Sequence, residues 1–343
     1  MKIAILGASH WHVRLMYVDA LRKLGHDIVA VGDVSQEKVD LIADKVGDCP
    51  RYTDYEQLIA EQTPDFVFAH APHAQMTDLA AWLVHRHLPF HMEKPMGVDW
   101  RKLEPVAAAA KTERVFAGVA LVSRYYAIVQ WLKEHQAEIG RVNHYYYRLF
   151  AGEPTRYREW GVEWMLDPAQ AGAGPLFNFG PHVIDLFLYL CVDRVEQVQA
   201  RWTHGLHGEE IEDLASITMI GSKGEIGIGD VSYTMPDGYE RYFSVDSQKL
   251  HCGGPAMGDM QVQWRDGRSE QVVGNDFDDV YGAYTKDLLE RFESGRQPVA
   301  GIGDMVKTLR VMNAAKQSAA TGKAVRLEGA AEQEAECEAE CEA

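Results

Sequence analysis

One lysine, Lys94, stands where an ammonium group can move a substrate proton. It closely follows the predicted strand Phe90 to Met92 and precedes Pro95. The carboxyl ends of parallel strands border the crevice in which such sheets bind ligands. A lysine there transfers a hydroxyl proton near neutral pH only if burial or neighbouring charge lowers its pKa. We predict that Lys94 is catalytic; the alternative is an ordinary lysine in a turn.

A second group of polar residues follows a glycine-rich approach to a predicted helix, Gly180 to Leu190. Asn178, His182 and Asp185 recur at spacings of four and three residues, which places them on one helical face. An amide, an imidazole and a carboxylate together suit a polyhydroxylated ligand better than an apolar core. We predict that His182 is catalytic and that Asn178 binds substrate. A histidine alone at such a place is more often structural.

The first predicted strand, Lys2 to Leu6, runs into Gly7-Ala8-Ser9-His10-Trp11-His12 and then a helix. A dinucleotide fold binds pyrophosphate at such a turn. Only the first glycine of the G-x-G-x-x-G pattern is present. Asp33 ends the second predicted strand, where a carboxylate accepts hydrogen bonds from an adenosine ribose and repels a 2′-phosphate. The alternative role for Asp33 is a cap on the helix that begins near Ser35.

The expected cofactor is therefore NAD. The predicted cofactor-binding residues lie after the predicted strands: Gly7, Ser9, His10, Trp11, Asp33, Ala71, Pro72, His73, Glu93 and Lys94.

An aromatic loop, Arg156 to Trp164, precedes the glycine-rich segment and offers stacking faces for a sugar ring. Aromatic residues in a loop belong equally often to an interface or a core. The predicted substrate-binding residues are Lys94, Arg124, Tyr157, Trp160, Asn178 and His182.

The elements that must position these residues form two patterns. Residues 1–120 alternate short β-rich runs with helical stretches, which predicts βαβ units and a parallel sheet. Residues 121–327 carry several strand-like runs between turn residues, which predicts a second α/β domain with an open, mostly antiparallel sheet. Residues 328–343 are acidic and poor in large apolar side chains, so we expect a disordered tail.

Charge and cysteine content exclude several classes of protein. The formal net charge of −17 opposes binding to nucleic acid or to an anionic membrane surface. Five cysteines without a framework spacing fit a reducing compartment better than a disulfide-stapled secreted domain. The chain starts on a strand rather than a signal region, and no apolar run approaches membrane-spanning length. We expect a cytoplasmic protein.

Eight histidines precede residue 100, which raises the question of a metal site. His85 and His87 belong to a helix end away from the predicted crevice, and no cysteine or carboxylate cluster visible in the sequence completes a ligand set. Cys337 and Cys341 in the tail also fall short of a closed set. The sequence predicts no metal.

The same residues resemble the Gfo/Idh/MocA family, which includes glucose-fructose oxidoreductase and inositol dehydrogenase, over nearly the whole chain. The resemblance implies a Rossmann domain joined to an α/β domain with an open sheet, frequent oligomerisation, and a lysine and a histidine acting at the substrate. It is carried by Gly7, Asp33, Pro64-Asp65, Glu93-Lys94-Pro95, Arg124-Tyr125, the segment Gly172 to Asp185, Glu212-Asp213 and the closing stretch Ala320 to Val325.

Three departures from the family pattern affect the chemistry. Ser9 replaces a usual glycine, Asn178 stands where aspartate is common, and the Pro-Asn-x-x-His pattern becomes Pro72-His73-Ala74-Gln75-Met76. Because an amide does not titrate, Asn178 supplies hydrogen bonds but no proton relay.

These observations predict an NAD-dependent oxidoreductase that transfers a hydride between nicotinamide and a hydroxyl-bearing carbon of a sugar, polyol or sugar derivative. The expected assembly is a homodimer or homotetramer. Two alternatives use the same fold: a redox-assisted glycosidase or lyase that recycles its NAD, and a non-enzymatic NAD-binding sensor. Lys94 and His182 count against the sensor.

Overall fold

A computed structural model describes residues 1–8 and 10–327 of the chain. Over these residues it contains a six-stranded sheet and a nine-stranded sheet, each covered by helices. Ser9 and residues 328–343, which include Cys337, Cys341 and the predicted acidic tail, lie outside the described residues. No helix in the described part of the chain is long and apolar enough to cross a membrane.

The first sheet is wholly parallel, in the order β3-β2-β1-β4-β5-β6. This is the strand order of a doubly wound dinucleotide-binding sheet, as predicted. Helices cover both faces, so the central strands are apolar on both sides, and all of Phe66–Ala69 is buried. The strands are Lys2–Leu6 (β1), Asp27–Gly32 (β2), Arg51–Tyr52 (β3), Phe66–Ala69 (β4), Phe90–Met92 (β5) and Ala117–Val119 (β6).

The helices between these strands follow the predicted pattern, with one irregularity after β1. A π-helical turn, Val13–Tyr17, opens the first helix. The α-helices are Val18–Lys23 (α1), Gln36–Val46 (α2), Tyr55–Gln62 (α3), His73–His85 (α4) and Trp100–Thr112 (α5).

Gly7 shows why the turn after β1 needs glycine. Its φ is +82°, and a Cβ there would lie 1.6 Å from the backbone oxygen of His70 at the end of β4. No side chain fits in that space, and only glycine adopts such a φ at low cost. The turn is therefore pressed against the neighbouring strand.

The second sheet is antiparallel except for the parallel pair β7 and β10. Its order is β14-β13-β12-β11-β7-β10-β9-β8-β15. Burial alternates along β9, so one face packs on helices. The strands are Val142–Gly152 (β7), Val195–Thr203 (β8), Leu214–Gly221 (β9), Ile226–Met235 (β10), Tyr239–Ser247 (β11), Leu250–Pro255 (β12), Met260–Trp264 (β13), Ser269–Val272 (β14) and Val325–Arg326 (β15).

The helices of this half include one that is almost entirely buried. Gly180–Leu190 is apolar nearly all round and packs on β7 and β10. The helices are Ala127–Glu134 (α6), Gln136–Ile139 (α7), Arg156–Glu159 (α8), Pro168–Ala171 (α9), Pro175–Asn178 (α10), Gly180–Leu190 (α11), Phe277–Glu293 (α12) and Ile302–Thr321 (α13).

Helix α12 follows the second sheet in the chain but packs on the first. The ring of Phe292 lies 5.0 Å from that of Phe66 and 5.5 Å from that of Phe116, centroid to centroid. The hydroxyl of Tyr284 lies 2.7 Å from Nδ1 of His91 in β5. The last third of the chain thus joins the two sheets.

Strands β3, β12, β14 and β15 were not predicted. β3 and β15 have two residues each, too few to show a period. β12 carries the turn-like run Gly253-Gly254-Pro255, and β14 is the polar edge strand Ser269–Val272. Their strand conformation depends on a paired neighbour rather than on their own hydrophobic pattern.

Candidate active site

The turn after β1 is fastened to the end of β2 by Asp33. Its carboxylate accepts hydrogen bonds from the backbone N–H of Ala8 at 2.7 Å and of Ser35 at 3.0 Å. The side chain therefore ties the predicted nucleotide turn to the start of α2. Asp33 therefore anchors the turn through its bonds to Ala8 and Ser35, and it also borders a cavity.

That cavity has a volume of about 300 Å³ and lies at the carboxyl ends of β2 and β4. Its size and its mixed lining, which includes apolar side chains and the carboxylates of Asp33 and Asp78, suit an adenosine. The lining residues are Asp33, Val34, Tyr55, His70, Ala71, Pro72, Gln75, Asp78 and Leu79.

His73, the next residue of the predicted cofactor set, is buried beside that wall. Its Nδ1 lies 2.9 Å from the backbone oxygen of Ala171, and its ring meets the edge of Trp164 at 4.9 Å. Burial lowers the pKa of His73 to about 3, so the ring is neutral. In this structure His73 joins α4 to the loop before the glycine-rich segment.

His10 and Trp11 lie deeper, between the two halves of the chain. Their rings stack at 4.2 Å with an angle of 12°. Burial lowers the pKa of His10 well below its usual range. Trp11 also contacts the aromatic loop, with its ring centroid 5.3 Å from that of Tyr157 and 6.0 Å from that of Trp160.

Lys94 is buried at the end of β5, with 1% of its surface exposed. Its Nζ donates hydrogen bonds to two oxygens of one residue, the backbone oxygen of Asn178 at 2.8 Å and the side-chain Oδ1 at 2.9 Å. Burial lowers the pKa of Lys94 to about 8, although the nearby Glu93 carboxylate opposes the shift. Both forms of the amine are therefore populated near neutral pH.

The amide of Asn178 is held in this orientation by two tyrosines. Its Nδ2 donates to the hydroxyl oxygen of Tyr157 at 2.7 Å and to that of Tyr233 at 3.1 Å. Because the amide nitrogen faces two hydroxyls, Oδ1 must face Lys94. Tyr157, a predicted substrate residue, acts here on Asn178.

Glu93 turns away from the lysine ammonium and towards the turn after β1. Its Oε1 accepts from the Tyr17 hydroxyl at 2.6 Å and lies 2.9 Å from Nδ1 of His12, while Oε2 accepts from the backbone N–H of Lys94 at 3.2 Å. Burial would raise the pKa of Glu93, but contacts with His12 hold it well below its usual range. Glu93 is a buried anion.

His182 lies in the first turn of α11. Its Nδ1 is 3.0 Å from the hydroxyl of Ser123. Burial, reinforced by the charge of Lys94, lowers the pKa of His182 well below its usual range, so the ring is neutral. With Nδ1 engaged, Nε2 is the nitrogen left for a ligand.

The structure brings Lys94, Asn178 and His182 to one cavity of about 50 Å³. Residues from both halves of the chain line it, because Lys94 follows β5 of the first sheet and His182 lies in α11, which packs on the second sheet. Its lining residues are Trp11, His12, Lys94, Val122, Tyr126, Leu149, Asn178, Phe179, His182, Tyr239, Arg241, Phe277 and Tyr281.

Besides Tyr157, two further predicted substrate residues lie outside this cavity. Arg124 is buried in a two-point ion pair with Asp185, at 2.9 and 2.7 Å, and donates to the backbone oxygen of Val299 at 2.6 Å. Trp160 is half-buried against Trp11. Neither lines the 50 Å³ cavity formed by the described residues. Asp185, predicted to share a face with Asn178 and His182, instead pairs with Arg124.

Sequence analysis missed several side chains of the site. Tyr17 and Tyr233 hold Glu93 and Asn178, and Arg241 lines the cavity from β11. Tyr281 enters from α12. No local motif marks any of them, because each depends on long-range packing. Side chains alternate between the two faces of β11, so its pairing register must be known before Arg241 can be assigned to the face that borders the cavity.

Comparison with known proteins agrees with this architecture. Residues 1–121 match the model of an oxidoreductase family with an NAD-binding Rossmann fold, and residues 130–250 match a Gfo/Idh/MocA C-terminal domain. A curated relative, D-xylose 1-dehydrogenase (NADP(+)) 2 of Haloferax volcanii, is 24% identical over 96% of this chain and 100% of its own length.

Two solved structures show the same fold. Levoglucosan dehydrogenase, in complex with NADH and levoglucosan, aligns with a TM-score of 0.84 at 15% identity, covering 96% of this chain and 100% of that one. The WlbA dehydrogenase of Bordetella pertussis, in complex with NADH and UDP-GlcNAcA, aligns with a TM-score of 0.82 at 18% identity, covering 96% and 98%. From the two matched domains and the shared architecture, the chain belongs to the Gfo/Idh/MocA family of oxidoreductases and carries an NAD-binding Rossmann domain.

Proposed function

We propose that this chain is an NAD-dependent dehydrogenase that oxidises a secondary hydroxyl of a sugar, polyol or sugar derivative, or reduces the corresponding carbonyl. In this proposal Lys94 transfers the hydroxyl proton and His182 orients the oxygen. Relatives named for sugar substrates, D-xylose and levoglucosan, support the substrate class.

The observation that carries the proposal is the way Lys94 is held. A neutral amine has two N–H donors and one lone pair, arranged tetrahedrally. The two oxygens of Asn178 accept both donors. The remaining position, which holds the lone pair or the third proton, is left for the cavity that Lys94 lines. This is the arrangement that a general base needs.

The cofactor fits the residues present. Gly7 leaves no room for a side chain beside the His70 carbonyl, as expected of the glycine that makes the tight first turn of a dinucleotide-binding fold. The 300 Å³ cavity beside Asp33 is an appropriate place for the adenosine. NAD, when bound, accepts the hydride in oxidation and supplies it in reduction.

In the oxidation, the proton and the hydride leave the substrate separately. The O–H bond breaks towards the lone pair of Lys94, which becomes an ammonium, and the C–H bond pair leaves as hydride, so that a carbonyl forms. The neutral His182 uses Nε2 to hold the reacting oxygen. Because its pKa is held well below the usual range, His182 does not compete with Lys94 for the proton.

The cavity walls favour a compact ligand with both apolar and polar faces. Aromatic rings of Phe179, Tyr239 and Tyr281 border it, together with the Arg241 guanidinium. The C–H faces of a sugar ring can pack on these aromatic rings, and its hydroxyls can accept hydrogen bonds from the guanidinium. At about 50 Å³ the cavity is smaller than a typical ligand site, so a wall must move for a sugar to enter.

The test is a panel of sugars, inositols and sugar acids with NAD, followed by NADH absorbance and product analysis. We expect stoichiometric NADH and a carbonyl product for at least one compound, and loss of both in Lys94→Met but not in Lys102→Met, an exposed lysine. Cleavage without net NADH would support the redox-assisted glycosidase instead. Tight NAD binding with no turnover of any compound would support the sensor. The cytoplasmic location and the homo-oligomeric state stay predictions.

A further inference from the structure

A second group of polar side chains lies beside the proposed catalytic residues. His10 and His12 in the turn after β1 and Glu93 at the end of β5 each offer a ligand atom, and these atoms all lie within 4.8 Å of one another. Within this group, Nδ1 of His12 is 2.9 Å from Oε1 of Glu93. His10 and Glu93 are fully buried, and His12 is partly buried.

His10 has unused bonding capacity in this group. Its Nδ1 makes one long contact, accepting from the backbone N–H of His12 at 3.3 Å. Its Nε2 is buried and has no hydrogen-bond partner among the described residues. A buried polar atom without a partner costs free energy, so such an atom indicates a missing ligand.

Neighbouring histidines extend the same pattern. Both ring nitrogens of His70 are buried without a hydrogen-bond partner within the part of the chain that the structure describes. Its ring centroid lies 6.2 Å from that of His10. Imidazole nitrogens without a hydrogen-bond partner among the described residues thus lie close to one another in this region.

The donor set has a definite chemical preference. Two imidazoles and one carboxylate suit zinc and neighbouring divalent transition metals, whereas calcium and magnesium prefer oxygen ligands. Three protein ligands leave at least one coordination position open, which is typical of catalytic rather than structural zinc sites. Glu93 also has the outer contact expected of a metal ligand, because the Tyr17 hydroxyl donates to its Oε1 at 2.6 Å.

We infer that this chain binds one divalent transition-metal ion through His10, His12 and Glu93. The ligand atoms need to approach one another slightly, since ligands about 2.1 Å from zinc lie closer together than 4.8 Å. His12 also lines the cavity that contains Lys94 and His182, so a water or hydroxyl from that cavity completes the coordination. The site adjoins the proposed cofactor turn and substrate cavity, but the inference that it binds a metal does not rest on the proposed dehydrogenase activity.

The sequence predicted no metal because no cysteine or carboxylate cluster in it completes a ligand set with the histidines. Folding brings Glu93 to them from 81 residues away, since the ends of β1 and β5 lie at the same edge of the sheet.

The test is titration of the untagged, metal-stripped full chain with Co²⁺, followed by competition with Zn²⁺. We expect one equivalent of Co²⁺ per chain, visible bands of nitrogen and oxygen coordination without thiolate charge transfer, and displacement by Zn²⁺. His10→Ala and Glu93→Gln should each weaken binding at least tenfold. His85→Ala, which removes an exposed histidine outside the group, should bind as the parent does.

Two further measurements keep the inference falsifiable. Cys337→Ser/Cys341→Ser should bind Co²⁺ unchanged, since the site does not use the tail thiols. If Glu93→Gln does not fold, Zn²⁺ should still raise the melting temperature of the parent and not that of His10→Ala. Binding that survives His10→Ala, or disappears with the tail thiols, would overturn the site. So would the absence of stoichiometric binding. If the parent binds no metal and His10→Ala loses affinity for NAD, then the nucleotide, rather than a metal, is the ligand of this histidine.

Discussion

Lys94 donates two hydrogen bonds to the single residue Asn178, one to its backbone oxygen and one to its side-chain oxygen. Both acceptors are uncharged, so they orient the amine without favouring the ammonium as a carboxylate would. Burial is then free to lower the pKa of Lys94 to about 8. The pairing of a buried lysine with a neutral acceptor is therefore central to the proposed chemistry.

The first prediction concerns the pH dependence of oxidation. A base must be neutral to accept a proton, and Lys94 loses its own proton as the pH rises through about 8. The value of kcat/KM for oxidation should therefore increase with pH, about tenfold per unit at low pH, and level off above about 8. Reduction of the carbonyl needs the protonated amine of Lys94, so kcat/KM for reduction should instead decrease as the pH rises through about 8. A flat oxidation profile between pH 6 and 9, roughly the range that spans this pKa, would exclude Lys94 as the base.

The second prediction uses Asn178→Asp. A carboxylate in place of Oδ1 would favour the ammonium form of Lys94 and raise its pKa. The rising limb for oxidation should move to higher pH by roughly one unit or more. Asn178→Ala is the matched control, since it removes the side-chain acceptor without adding charge and should not move the limb upwards. Identical limbs in the parent and in Asn178→Asp would show that Asn178 does not contact the titrating group.

The third prediction concerns nucleotide choice. Asp33 borders the 300 Å³ cavity, where its charge opposes a 2′-phosphate. The parent should bind NAD more tightly than NADP. Asp33→Ser should reduce the ratio of the NADP to the NAD dissociation constant at least tenfold. The curated relative from Haloferax volcanii is named for NADP(+), so the comparison is informative. Dissociation constants measured by titration test it, and equal affinities in the parent would contradict the assignment.

Asp33→Ser has a second expected effect. The carboxylate accepts from Ala8 and Ser35, so its removal should also lower the melting temperature. A change in the nucleotide ratio at constant melting temperature would separate the electrostatic role from the structural one.

The fourth prediction assigns Arg124 to stability. Its buried ion pair with Asp185 is made at two points, and removing one partner leaves a buried charge. Arg124→Met should lower the free energy of unfolding by about 3–5 kcal/mol. Arg124→Met/Asp185→Leu should recover part of that loss, because the buried Asp185 carboxylate is then removed and Asp304, which lies 3.4 Å from Arg124, is partly exposed. Chemical denaturation measures both, and a loss under about 1 kcal/mol in the single variant would contradict the assignment.

Much of the fold could be predicted from the sequence because the first sheet is buried on both faces. The run Phe66–Ala69 is continuous and apolar, Phe90–Met92 is equally buried, and both form strands with the predicted bounds. The helix Gly180–Leu190 was also predicted with its bounds. Polar or very short strands such as Ser269–Val272 could not be predicted, since only their neighbours make them strands.

The candidate-site residues that could be predicted lie at the ends of strands and helices. Lys94 and His182 follow a strand and begin a helix, and the structure brings them to one cavity. The partners that control them were not predictable. Tyr233 reaches Asn178 from β10, and Glu93 meets His12 only through the order of the strands. Arg124 was predicted to bind substrate, and only the structure shows its ion pair with Asp185.

The most direct test of the account is the turnover of Lys94→Met on the best substrate of the panel, compared with the parent and with Lys102→Met. A positioned general base contributes about 10² to 10⁴ in rate, so kcat for Lys94→Met should fall by that factor while NAD affinity is kept. Lys102→Met should match the parent. A kcat for Lys94→Met within about threefold of the parent, far short of the loss expected for an acid–base group, would contradict the proposed mechanism.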